Sequence, residues 1–170
     1  MRVRKGAATA GLLVAASILG IQFLLPARGT NPPVIRERTI EANLRLTPVV
    51  SGTLHRVCAN CHSNETRWPW YSRITPLSWL IHRDVHNARE VMNFSEWTTG
   101  IGRQPANAAG ILAAACADVK SNRMPPKSYL LLHPEARLPP QEKQAFCDWT
   151  RAQFSELVLR SRTSPHTPSD

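Results

Sequence analysis

CANCHSNETRWPWYS, residues 58–72, sets two cysteines and a histidine in C-x-x-C-H spacing and follows them with aromatic side chains. If the stretch is helical, Cys58 and Cys61 lie one turn apart and their thiols face one side. His62 comes directly after. Trp68, Trp70, Tyr71 and Trp79 follow at short distance and bring a large flat apolar surface. A group held by two thiols and an imidazole, with a need for that surface, is what the rest of the chain has to explain.

The chain has 170 residues and a formal charge of +9, which suits one ordinary domain. The N-terminus changes that expectation. Arg2, Arg4 and Lys5 precede an uncharged apolar run over residues 6–27, about the ~20 residues a helix needs to cross hydrocarbon. A cleaved leader would have a shorter apolar part ending in small residues, whereas this one ends Phe23, Leu24, Leu25, Pro26. The pattern therefore favours an uncleaved single-pass anchor over residues 1–28. Its basic start stays in the cytoplasm and the remaining chain is exported. In bacterial terms this is an inner-membrane protein with its domain in the periplasm.

Residues 29–46 read as an extended tether, because Pro32 and Pro33 oppose a helix and charges follow. Thr47-Pro48 is an N-cap followed by proline at the first helical position, which predicts a helix running into Cys58 and Cys61. Thr75-Pro76 repeats the signal ahead of Leu77, Leu80, Ile81, Val85 and Ala88, an apolar stripe at helical spacing. Asn93 is expected to close that helix in a left-handed turn, and Ser95 to cap a short turn after it. PANAAGILAAACADVKSN, residues 105–122, is alanine-rich and helical until Pro125 and Pro126. A last helix follows Pro140, with Phe146, Trp149, Gln153 and Leu157 on one face. Residues 161–170 read as a disordered tail. No stretch alternates as a strand would, so the domain at 47–160 is all-α.

C-x-x-C-H is the attachment signature of c-type haem. The spacing follows from the chemistry: two thiols on one turn meet two vinyl groups on one porphyrin edge, and His62 brings its imidazole under the iron as the proximal ligand. A zinc site would need four ligands in two close pairs, but Cys116 and Cys147 are far apart in sequence and inside predicted helices. A thioredoxin-like pair would need strands around it. The reading is one covalent haem c. Trp68, Trp70, Tyr71 and Trp79 would pack against it or simply fill a small core. Arg67 and Arg73 are candidates for its propionates, or are solvated.

The sixth iron position is open to several residues. Met124 sits in a proline-rich loop and would supply a soft thioether; His133, nine residues later, is its rival. His82 and His86 share a helix face, His55 precedes the motif by seven residues, and His166 is in the tail. Cys116 and Cys147 remain, and in an oxidising compartment they could bridge two helices.

CANCHSNETRWPWYSRITPLSWLIHRDV, then NFSEW, then RMPPKSYLLLHPEARL before a final amphipathic helix, resembles the haem-binding domain family of exported cytochrome c-like proteins. The IQFLLPARGTNPPV exit from the apolar segment is similar too. The resemblance implies a class I-like cytochrome c fold with the first and last helices crossing beside the haem. It implies Cys58, Cys61 and His62 as attachment and proximal residues, and Met124 as distal ligand.

The expected function is one-electron transfer by a membrane-anchored mono-haem cytochrome, an electron carrier rather than an enzyme. Redox partners with an acidic docking surface would suit the positive charge. Nucleic acid is excluded as a partner, because the basic residues form no dense run and lie on the exported side. An open sixth site would instead make the protein a gas sensor or a peroxide-reducing protein. Without haem it would be a zinc or dithiol interaction module.

Overall fold

In the computed structural model, residues 10–17, Gly20 and residues 29–163 are described here. Among them every regular element is helical. Residues 10–17 are helical, and no helix of the described residues is long and apolar enough to cross a membrane. Most of the apolar run 6–27, and residues 164–170 with His166, lie outside the described residues, whereas residues 161–163, read from sequence as the start of a disordered tail, continue the last helix.

From residue 29 onward the helices are α1 (Ile40–Asn43), α2 (Pro48–Thr53), α3 (Ala59–His62), α4 (Leu77–Val91), α5 (Pro105–Lys120), α6 (Lys127–Leu132) and α7 (Pro140–Thr163). A π-helical turn, Leu54–Cys58, joins α2 to α3. Two compact units divide the chain. One contains the residues up to Thr30 with Arg67–His86; the other contains Asn31–Thr66 and Asn87–Asp170.

In the second unit α5 packs along α7. Ala108 and Ala109 are buried on α5 and let a neighbouring backbone approach closely, while Leu112 and Val119 fill the space further along. On α7 the buried residues include Phe146, Trp149, Gln153 and Leu157, the face that sequence periodicity predicts. Each large apolar side chain of this core contributes ~1.5–3 kcal/mol by burial. Cys116 and Cys147 are joined in a disulfide that ties α5 to α7.

Thr47 caps α2 through its Oγ1, which accepts from the Val50 N–H at 3.3 Å, and Pro48 takes the first helical position as expected. The segment before it departs from the expectation of an extended tether. Thr39 Oγ1 accepts from Ala42 N–H and starts α1, which buries Ile40 completely and Leu44 nearly so. The Trp149 indole then donates to the Arg45 carbonyl at 2.8 Å. Two apolar residues four apart behind a threonine cap outweigh the surrounding charges.

Asn93 does not close a helix in a left-handed turn. Its φ is −119°, and its side chain accepts from Ser95 N–H to cap the short Phe94–Glu96 turn, the role expected of Ser95. The left-handed asparagine is Asn122, with φ 56°, after α5. Residues 127–132, read from sequence as loop, form α6.

The first unit contains the WPWYS segment and the start of α4. Trp68 stacks on His82, with ring centroids 4.7 Å apart, and a Cβ added at Gly29 would fall 2.2 Å from the Trp68 ring. A side chain at position 29, where the chain leaves its N-terminal stretch, would have to displace the Trp68 ring. The apolar stripe expected along α4 is only partly internal. Val85 is buried, but Leu77 is 40 % exposed and Leu80 48 % exposed.

Candidate functional site

The helical run from Pro48 to His62 delivers the C-x-x-C-H motif. The π-helical turn ends at Cys58 and α3 carries Cys61 and His62, so the register changes at the first cysteine. Such turns inside α-helices recur at functional sites. Val57 and Leu54 anchor the turn in the core, leaving the two cysteines half-buried and outside any disulfide. The other two cysteines have paired with each other. Burial pushes the Cys58 thiol up to about 12; Cys61 adds to the rise and Arg56 opposes it. A reactive dithiol needs the opposite shift, so the pair is poorly suited to disulfide exchange.

His62 is positioned by a residue that sequence reading had assigned no role. Its Nδ1 lies 3.0 Å from the Met92 carbonyl oxygen. A carbonyl only accepts, so Nδ1 carries the proton and Nε2 keeps its lone pair for a ligand. Burial lowers the imidazole's affinity for a second proton, against a smaller opposing effect of hydrogen bonds to Met92 and Ala88. A neutral imidazole with Nδ1–H on a carbonyl is the state that binds a metal. Phe94, fully in the core, lies with its ring 6.0 Å from His62.

The chain leaving the motif is fastened to the same region. Asn64 N–H donates to Ser95 Oγ at 3.0 Å, and Asn93 donates to Asn64 Oδ1 at 2.9 Å. Arg89 donates from Nε to the Ser63 carbonyl and from its terminal nitrogen to Thr66 Oγ1. On the other side, Arg56 hydrogen-bonds the carbonyl of Glu135 and the carboxylate of Glu142, and reaches the Arg137 carbonyl at 3.3 Å. Asn60, between the two cysteines, donates to the Tyr129 hydroxyl at 2.8 Å. The motif is therefore clamped to the 129–142 segment by protein contacts. Sequence reading missed Arg56, Asn60, Arg89 and Met92, because a backbone acceptor or a partner far along the chain leaves no local pattern.

The two candidates for the sixth position differ in their surroundings. Met124 is 40 % exposed and lines a cleft of ≈ 470 Å³ with Pro125, Leu130, Leu138, Arg137 and Lys143. Cys58, Cys61 and His62 do not contribute to that cleft. His133 is engaged: its ring stacks on Tyr129 at 4.2 Å and its Nδ1 lies 3.0 Å from Glu135 Oε1. The Glu135 carboxyl is held below its usual range by its own backbone N–H and then by His133.

The remaining sequence candidates have surroundings of their own. His55 is on the surface, 3.8 Å from Glu41. Trp68, Trp70, Tyr71, Trp79, Arg67, Arg73, His82 and His86 belong to the first unit, whereas the motif belongs to the second. Trp70 is 75 % exposed and edge-on to Tyr71. No cluster of three or more His, Cys, Asp or Glu suited to a metal ion occurs among the described residues. With Cys116 and Cys147 bonded together, the second cysteine pair that a zinc site would use is not available.

Two cysteines one helical turn apart and outside any disulfide, followed by a neutral imidazole with its Nδ1 engaged, are a donor set that fits an iron porphyrin. A helical fold around such a set defines a haem-binding protein. The chain matches the haem-binding domain family over residues 16–152, and it belongs to that family. Haem is accordingly its cofactor. No curated relative and no solved structure matches it significantly.

Proposed function

We propose that this haem-binding protein is a membrane-anchored c-type cytochrome that passes one electron at a time on the exported side of the membrane. The observation that carries the reading is the His62–Met92 hydrogen bond beside two motif cysteines that form no disulfide, in a chain whose other cysteines are bridged to each other. Bound there, the iron porphyrin supplies a one-electron couple. Cys58 and Cys61 would hold one haem c through thioethers. His62 presents Nε2 to the iron, and the carbonyl of Met92 keeps that tautomer and raises the ligand's basicity. Met124 would be the distal ligand in this reading.

The apolar run 6–27 supports a tether in the bacterial inner membrane with the haem domain in the periplasm. Tethering raises the effective concentration of membrane-bound redox partners. The charge of +9 suits partners with acidic docking surfaces, through steering that salt weakens.

The test is to express the chain in a host that matures c-type cytochromes and to record visible spectra before and after acid–organic extraction. Covalent haem survives extraction in the parent chain and is lost in Cys58→Ala/Cys61→Ala. Haem that resists extraction in the double variant refutes thioether attachment.

A second reading is favoured by one observation, the exposure of Met124 in a cleft that the motif residues do not line. If Met124 stays there, the sixth position is open and the protein would sense a diatomic gas or reduce peroxide. A high-spin spectrum in the purified protein selects that reading.

A further inference from the structure

We propose that Trp70, Ile74, Leu77, Trp79 and Leu80 form a platform that lies on the anionic headgroups of a bilayer. The inference rests on the proposed membrane anchor and adds a second, lateral membrane contact to it. These five large apolar side chains fall within eleven consecutive positions, and all are at least 40 % exposed. Leu77 and Leu80 belong to a stripe that helical periodicity would send inward, but of that stripe α4 buries Val85, beside Ser78, and leaves the two leucines exposed. Large exposed apolar side chains concentrated in so short a stretch mark an interaction site.

Its chemistry selects the partner. Two of the five residues are tryptophans, whose amphipathic rings concentrate at the headgroup level of membranes. Arg67, Arg73 and Arg83 are exposed in the same unit, against a single acidic residue, Asp84, 3.3 Å from Arg83. An apolar patch with aromatic residues and a cationic surround matches an anionic lipid surface.

The path of the chain supplies the proximity. Gly29 is pressed onto Trp68 so closely that a Cβ would fall 2.2 Å from the ring, which fixes this point of the chain to the WPWYS segment. The apolar run ends at residue 27, so only Arg28 separates it from that point, and the two residue steps span at most about 7 Å of extended chain. A bilayer entered by residues 6–27 would therefore begin beside Trp68, two positions from Trp70.

The experiment uses the full haem-loaded chain, fluorinated at its tryptophans and reconstituted in vesicles of phosphatidylcholine and phosphatidylglycerol. Fluorine NMR in the ferrous state is recorded with and without lipid spin-labelled at the headgroup. Signals are assigned through Trp70→Phe and Trp79→Phe, and buried Trp97 and Trp149 serve as internal references. The expected result is severalfold broadening of the Trp70 and Trp79 signals, with the references unchanged. Replacing Arg67 and Arg73 by serine is expected to lower that broadening in anionic vesicles, by roughly fivefold in platform occupancy per charge.

An alkaline carbonate wash separates this inference from the anchor. A chain that resists the wash but shows no broadening at Trp70 and Trp79 keeps its anchor and overturns the platform. Broadening in a chain that washes off supports the platform and removes the anchor. Trp70 and Trp79 signals that ignore lipid but shift when the iron is oxidised assign these rings to the haem, and that too overturns the platform. Signals that ignore lipid but change with protein concentration assign the face to a second copy of the chain, with the same consequence.

Discussion

The imidazole of His62 and the backbone carbonyl of Met92 meet at 3.0 Å across thirty residues of chain. That contact decides which nitrogen of the histidine can reach a metal. It also makes the end of α4 part of the site, although no side chain of Met92 takes part. Replacing His62 by alanine removes the ligand and leaves the thiols in place. The expected product still carries covalent haem, but with a changed axial spectrum that added imidazole restores. A variant whose spectrum matches the parent without imidazole would show that His62 is not on the iron.

Met124 and His133 give opposite expectations. Met124→Ala should abolish the long-wavelength sulfur-to-iron band of the ferric protein, whereas His133→Ala should keep it. His133 is already occupied by Tyr129 and Glu135, and freeing it would break a stacking contact and a hydrogen bond. An unchanged ferric spectrum in Met124→Ala sinks the thioether assignment.

Arg56 is half-exposed and joins the motif turn to the carbonyl of Glu135 and the carboxylate of Glu142. Hydrogen bonds to a charged group are worth ~1.5–3 kcal/mol each when partly shielded, and less where water competes. Arg56→Ala should therefore lower stability by about 1–2 kcal/mol in chemical denaturation of the haem-loaded protein. A shift within experimental error would mean the clamp is fully offset by hydration.

The Cys116–Cys147 bridge closes a loop of 31 positions between α5 and α7. Its removal in Cys116→Ala/Cys147→Ala should cost about 3 kcal/mol, chiefly by releasing the unfolded chain. The thermal midpoint should fall by roughly 10 °C. Reductant should lower the midpoint of the parent similarly and leave the double variant unchanged. Equal midpoints for parent and variant would show that the bridge contributes nothing.

Cys58 offers a pH-dependent readout in the haem-free chain. Its thiol is pushed up to about 12, so at pH 8 it is almost wholly protonated, and only the thiolate alkylates. Alkylation by iodoacetamide, followed by mass spectrometry, should be on the order of 100-fold or more slower than for an exposed cysteine, and should accelerate as pH rises towards 12. Rapid labelling at pH 8 would contradict the buried environment.

The longer helices and the C-x-x-C-H motif can be read from the sequence without the fold. The Thr47-Pro48 start, the alanine-rich run of α5 and the Phe146, Trp149, Gln153, Leu157 face are legible because capping and periodicity act within a few residues. C-x-x-C-H is legible for the same reason, since one turn of helix fixes two thiols and an imidazole together. Tertiary structure alone decided the rest. It chose Met92 as the partner of His62, joined Cys116 to Cys147, buried Ile40 in what composition marks as a tether, and left Leu77 and Leu80 outside. Each of these depends on which surface another part of the chain brings alongside, and an exposed leucine and a buried one look alike in a local pattern.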